Sequence, residues 1–146
     1  MIYKHILVPV DGSEISATVV KQASALAKTF NAKLTIVQVM TIDPYIAAEY
    51  LAYGQSSQII ERARNFILEN INKAKDAFSA EGVEAETRIF EGENIHHTIA
   101  NVVKELDIDL VVMSSHGRSG IKKLFLGSVA QSLITELAIP VLVIKE

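Results

Sequence analysis

The sequence predicts an open α/β fold, a five-stranded, mostly parallel sheet of Rossmann-like type with helices on both faces, and three observations carry that prediction. Strand-like runs rich in Val, Ile and Leu alternate with helical patterns from one end of the 146 residues to the other. Four of the five runs are almost continuously apolar, as strands buried on both faces must be. The remaining run alternates polar and apolar residues, the pattern of a sheet edge.

The elements follow in order. His5 to Val10 is the first strand, and it ends in Asp11-Gly12-Ser13. That tripeptide reads as the cap region of the next helix, with Ser13 accepting from early helix amides. Val20, Ala23, Ala27 and Phe30 then mark one apolar helix face. Lys33 to Val39 is the second strand. The stretch Thr41 to Ser57, with Pro44, Tyr45, Tyr50, Tyr53 and Gly54, is irregular and has room for a short helix or a flap. Its tyrosines either cover a ligand or partner, or pack the loop onto the domain, and packing is the favoured reading.

Ile60, Ala63, Ile67, Ile71, Ala74 and Phe78 form a longer apolar stripe at spacings of three and four. Glu84 to Phe90 is the third strand, in which Glu84, Glu86 and Arg88 alternate with Ala85, Thr87 and Ile89. Ile99, Val102, Val103 and Leu106 mark the third helix, and Asp109 to Ser114 the fourth strand. Val129, Leu133 and Leu137 mark the last helix, before a final strand at Val141 to Lys145. With the third strand at an edge, the strand order is 3-2-1-4-5. Its switch point lies between strands 1 and 4, where open α/β sheets bind ligands beyond the carboxyl ends of their strands.

Composition narrows the function classes. Residues 1–146 read as one domain, with 49% hydrophobic residues to build its core. Without cysteine the chain has no disulfide framework, thiolate metal site or cysteine nucleophile. Fourteen Lys and Arg against 17 Asp and Glu give a formal charge of −3, which offers no basic face for nucleic acid. No apolar run is long enough to span a bilayer, and the amino terminus begins a strand without a signal-peptide pattern. The expectation is a cytoplasmic protein without nucleic-acid or membrane partners.

The functional signal lies where Leu110-Val111-Val112-Met113 runs into Ser114-Ser115-His116-Gly117-Arg118-Ser119-Gly120, followed by Gly127-Ser128 opening a helix. Small residues leave backbone amides bare, a cation sits among them and a helix dipole points its positive end there, which together suit phosphate. Lys122 and Lys123 add charge nearby. Asp11, across the predicted crevice, is placed to accept hydrogen bonds from ribose hydroxyls. The Walker-type phosphate loop and the G-x-G-x-x-G dinucleotide turn are both absent.

These residues resemble the universal stress protein family, of the ATP-binding type. The resemblance runs from His5-Ile6-Leu7-Val8-Pro9-Val10-Asp11-Gly12-Ser13, through the Val111 to Gly120 segment and Leu126-Gly127-Ser128-Val129-Ala130, to Pro140-Val141-Leu142-Val143-Ile144. The family's G-x2-G-x9-G-[ST] signature falls on Ser114, Gly117, Gly127 and Ser128, so its first glycine is replaced. If the backbone at Ser114 needs a positive φ, a Cβ costs on the order of 1 kcal/mol, and at negative φ nothing.

The resemblance implies that Asp11 holds the ribose and that Val39 meets the adenine edge through its backbone. It implies that Met113 and Ser114 line the nucleoside, and that Gly117, Arg118, Gly127, Ser128 and Val129 surround the phosphates. Pro9, Val10, His116 and Gly120 complete the candidate cofactor-binding set, although a solvent-facing histidine is the favoured reading of His116. The implied cofactors are ATP and an accompanying Mg²⁺, held by phosphate oxygens and water. The implied partner is a second copy, paired through the last strand at Val141, Leu142, Val143 and Ile144.

Other chemistries fare worse. A serine hydrolase would need G-x-S-x-G with Asp and His after the nucleophile, and neither follows Ser119. His96 and His97 are adjacent on a helix and diverge by about 100°, so no protein metal site is assigned. No catalytic residue is assigned either. An ATP-binding regulatory or stress-response module leads, with a slow ATPase or phosphotransferase and a nucleotide-free dimeric interaction protein as alternatives.

Overall fold

The computed structural model describes residues 2–41, 56–115 and 126–145. Its elements are β1 (His5–Val10), α1 (Ala17–Phe30), β2 (Lys33–Thr41), α2 (Ser56–Ala80), β3 (Glu86–Gly92), α3 (Ile95–Glu105), β4 (Leu110–Ser114), α4 (Ser128–Glu136) and β5 (Val141–Ile144). The five strands form one sheet in the order β3-β2-β1-β4-β5, every neighbouring pair parallel. The predicted order and the predicted edge position of the third strand both hold.

Strand alternation sorts the core into two layers. Ile6, Val8, Leu34, Ile36, Leu110 and Val112 pack against Val20, Ala23 and Ala27 of α1 and Ile71, Ala74 and Phe78 of α2. On the opposite face Leu7, Val37, Val111 and Met113 pack against Ile99, Val102 and Val103 of α3 and Ala130 and Leu133 of α4.

Boundaries differ from the sequence reading where a partner strand decides them. β2 and β3 each run two residues further than predicted because each supplies the other's partners, up to Thr41↔Gly92. β3 also starts later, at Glu86, while Ala85 before it is buried in the core. Asp109 precedes β4 rather than opening it, and β5 stops at Ile144, the last partner of β4. Phe30 leaves the core stripe of α1 half-exposed and meets Tyr3 edge to face, with ring centroids 5.2 Å apart.

The α2 stripe also ends early. Ile67, Ile71, Ala74 and Phe78 are buried, but Ala63 is exposed. A 25-residue helix is about 37 Å long, whereas the nine-residue β2 spans about 30 Å, so the first turns of α2 run past the sheet.

Two corners carry strong local constraints. Ser16, not Ser13, caps α1, its hydroxyl accepting from the amides of Thr18 and Val19 at 3.1 and 3.4 Å. The expectation for Ser13 therefore fails, because its own amide and hydroxyl are already committed to Asp11. At the β3–α3 corner, a Cβ on Gly92 would lie 2.1 Å from the Thr98 hydroxyl oxygen, so only glycine lets the strand approach that helix. Asn94 caps α3 there through the amide of His97 at 3.1 Å.

Candidate functional site

The crevice forms because β1 has unequal neighbours. It pairs with β2 along its whole length, from His5↔Lys33 to Val10↔Gln38, but with β4 only at Ile6↔Leu110 and Leu7↔Val111. Beyond Leu7 and Val111 the ladder between β1 and β4 stops, at the point where the strand order reverses. Pro9, Val10 and Asp11 line one side of this opening, half-buried, and Met113 and Ser114 line the other.

Asp11 is held by its own turn. One carboxylate oxygen accepts the Ser13 amide at 3.0 Å and also the Ser13 hydroxyl. This two-residue return is an Asx-type turn, and it places Gly12 at φ 91°, a conformation that side chains other than glycine's resist. The sequence Asp-Gly-Ser is thus a device for fixing a carboxylate at the end of β1. Its helix-capping role passes to Ser16.

Ser114 raises no backbone penalty. Among the described residues the non-glycine positions with positive φ are Asn31 and Asp107, so the replacement of the first signature glycine is made in an ordinary strand conformation. Alternation puts its side chain on the face of Leu110 and Val112, with Ile144 as its register partner.

The amino end of α4 reaches the same place. The Gly127 amide donates to the Ser115 carbonyl at 2.8 Å, and the Ser115 amide donates to the Ile144 carbonyl at 2.9 Å. One residue therefore joins the ends of β4 and β5 to the start of α4. Gly127 has no side chain with which to cap the helix. Among the described residues no side-chain hydrogen bond caps the first-turn amides of Ser128, Val129 and Ala130, and the helix dipole favours an anion there. Ser128 is exposed and Val129 half-buried beside them.

Val39 lies on β2, half-buried, on the face packed by α3. The structure thus brings Pro9, Val10, Asp11, Met113, Ser114, Gly127, Ser128 and Val129 to the carboxyl edge of the sheet, with Val39 one strand away. His116, Gly117, Arg118 and Gly120 lie outside the described residues, as do Lys122, Lys123 and the tyrosines at 45, 50 and 53. His96, which the sequence sets aside as a metal ligand, pairs with Glu136 of α4 through Nδ1 at 2.8 Å.

Two polar groups near this edge escaped the sequence reading. Gln38 is 3% exposed with its amide oxygen unpartnered, and Ser115 is 6% exposed with its hydroxyl unpartnered. Ser115 stood within the signature segment but carried no separate signal. Gln38 was legible, with Thr35, as a polar residue amid the apolar run of β2.

Comparison with known proteins shows the family and the fold. The model of the universal stress protein family matches residues 2–145. Universal stress protein MJ0531 of Methanocaldococcus jannaschii is 32% identical over 145 residues, covering 99% of this chain and 84% of that protein. Universal stress protein YxiE of Bacillus subtilis is 32% identical over 148 residues, covering 98% and 99%. Among solved structures, the protein MJ0577 superposes with a TM-score of 0.75 at 28% identity, covering 100% of this chain and 98% of that one. A universal stress protein in complex with cAMP superposes with a TM-score of 0.63 at 25% identity, covering 99% and 98%.

Proposed function

The chain belongs to the universal stress protein family, and from that premise we propose that it is a cytoplasmic, ATP-binding regulatory module of the stress response, its nucleotide seated in the β1/β4 crevice. The observation that carries this reading is the amino end of α4, without a side-chain cap among the described residues, tied to the carboxyl end of β4, while the fixed carboxylate of Asp11 stands at the carboxyl end of neighbouring β1. The similar protein solved with cAMP supports an adenine nucleotide as the ligand class.

In this reading the Asp11 carboxylate accepts hydrogen bonds from the ribose hydroxyls, and Ser13 keeps it in position. The backbone of Val39 meets the adenine edge, with Pro9, Val10, Met113 and Ser114 around the nucleoside. The amides at the start of α4 donate to the phosphates, and the Ser128 hydroxyl adds a neutral oxygen beside them. Gly117 and Arg118 join the phosphate group by the family resemblance, and His116 and Gly120 complete the candidate set. The donor set fits a Mg²⁺ that arrives with the nucleotide, because a hydroxyl and open amides favour phosphate while a single carboxylate leaves the cation to phosphate oxygens and water. Its contribution there is charge neutralisation of the phosphates.

The proposed assembly is a homodimer through β5, an edge strand whose Val141 and Val143 are half-buried and whose Leu142 is 37% exposed. A Leu142→Lys variant is expected to sediment as a monomer.

The direct test is to incubate the protein with Mg-ATP, remove free ligand by rapid gel filtration, denature the protein and identify what it retained. Near-stoichiometric ATP, lost in Asp11→Ala, is the expected result. Retained ADP would indicate turnover, and no retained nucleotide in either protein would overturn the reading.

A further inference from the structure

Alternation along β4 continues past its last residue. Val111 and Met113 face α3 and α4, and Ser115 follows them onto that face, at the amino end of α4 to which its carbonyl is bonded. Its backbone is held on both sides, by the Ile144 carbonyl at 2.9 Å and the Gly127 amide at 2.8 Å. Its side chain is 6% exposed, yet the hydroxyl oxygen has no hydrogen-bond partner. Buried hydroxyls are ordinarily paired, and one left unpaired in a rigid setting is costly. Threonine or serine hydroxyls commonly cap helices, and here that service is missing because the capping position is Gly127.

We propose that the Ser115 hydroxyl is a phosphate-positioning donor, which completes an anion cradle with the first-turn amides of α4. The inference rests on the nucleotide reading above and assigns to that site a ligand group outside the signature positions. The three amides and the hydroxyl belong to one corner, where the Ser115 carbonyl accepts the Gly127 amide at 2.8 Å, and together they offer a phosphoryl group four donors. Because the Ser115 backbone is fixed by β5 and α4 together, the hydroxyl is delivered without an ordering cost at the moment of binding. The orphaned oxygen is then satisfied only in the bound state.

The test compares the affinities of ATP and adenosine for the wild-type protein, Ser115→Ala and Ser115→Thr. Loss of one hydrogen bond to a charged phosphate is expected to weaken ATP binding to Ser115→Ala by about tenfold or more. Adenosine affinity should stay unchanged and Ser115→Thr should recover the ATP affinity. Equal weakening of ATP and adenosine would make Ser115 a structural residue and overturn the proposal, as would unchanged ATP binding in Ser115→Ala. Absence of ATP binding to the wild-type protein would overturn the nucleotide reading itself and this inference with it.

Discussion

The two edges of the sheet handle their polar groups in opposite ways. At the amino edge almost everything is closed. The Asp109 carboxylate accepts the amides of Lys4 and His5 at 2.8 and 3.0 Å, and the Asp109 amide returns to the His5 carbonyl at 3.1 Å. The His5 ring bridges Leu106 and Thr35, at 3.0 and 2.7 Å, and Lys33 pairs with Glu86 at 3.2 Å. At the carboxyl edge the ladder between β1 and β4 stops short, α4 starts without a side-chain cap, and Ser115 and Gln38 keep unpartnered oxygens. One edge is closed by its own hydrogen bonds, and the other leaves hydrogen-bonding capacity open.

This division can be broken from either side. The largest effect is expected from Asp109→Ala, which leaves two backbone amides without their charged acceptor. Allowing for the partial exposure of the site, it should lower the unfolding free energy by about 2 kcal/mol while leaving nucleotide affinity intact. Urea unfolding beside an ATP titration checks both halves, and a joint loss would mean that the edges are coupled.

Gly12→Ala should strain the turn at φ 91° by about 1 kcal/mol and displace the Asp11 carboxylate, so that ATP affinity falls more than stability does. The reverse ranking would place Asp11 outside the binding site.

The smallest effect is a pH dependence at the closed edge. A carbonyl can only accept, so His5 Nδ1 donates to Leu106 and the neutral ring's Nε2 accepts from the Thr35 hydroxyl. Burial, the largest influence, lowers the His5 pKa from 6.5, with Lys33 acting in the same direction, against the Leu106 carbonyl, Glu86 and Asp109. The folded state therefore prefers the neutral ring. Its contribution to stability is complete above pH 6.5 and is lost as the pH falls from there through the lowered folded value. Thermal unfolding between pH 7.5 and 5 should show this slope, reduced in His5→Gln. An undiminished slope would assign it to another group.

Much of the fold was legible because it depends on local pattern. β1 was read to the residue because its apolar run is bounded by lysine and by Asp-Gly, and the alternation of Glu84, Glu86 and Arg88 identified the edge that set the strand order. Legibility failed where a distant partner decides. The ends of β2 and β3 fix each other, and Ala63 lies on a helix that outruns its sheet. Ser13 could not be told from Ser16 as a cap, since both precede the helix and only the Asp11 turn separates them. The amino-edge clasp joins residues 104 and 105 positions apart and left no sequence signal. At the site, residue types and spacing announced an anion, but the unpartnered Ser115 hydroxyl emerged only once burial was known.

The unequal pairing of β1 also bears on the order of assembly. Its six pairs with β2 join residues 28 positions apart, whereas its two pairs with β4 join residues 104 apart. Loop-closure entropy rises with that separation, and native pairings with low sequence separation form sooner. The β1–β2–β3 half, with α1 and α2, is thus the early unit, and β4–β5 docks on it late. The seam between them is the crevice, so the proposed nucleotide site is completed only when the two halves meet, at the last step of folding.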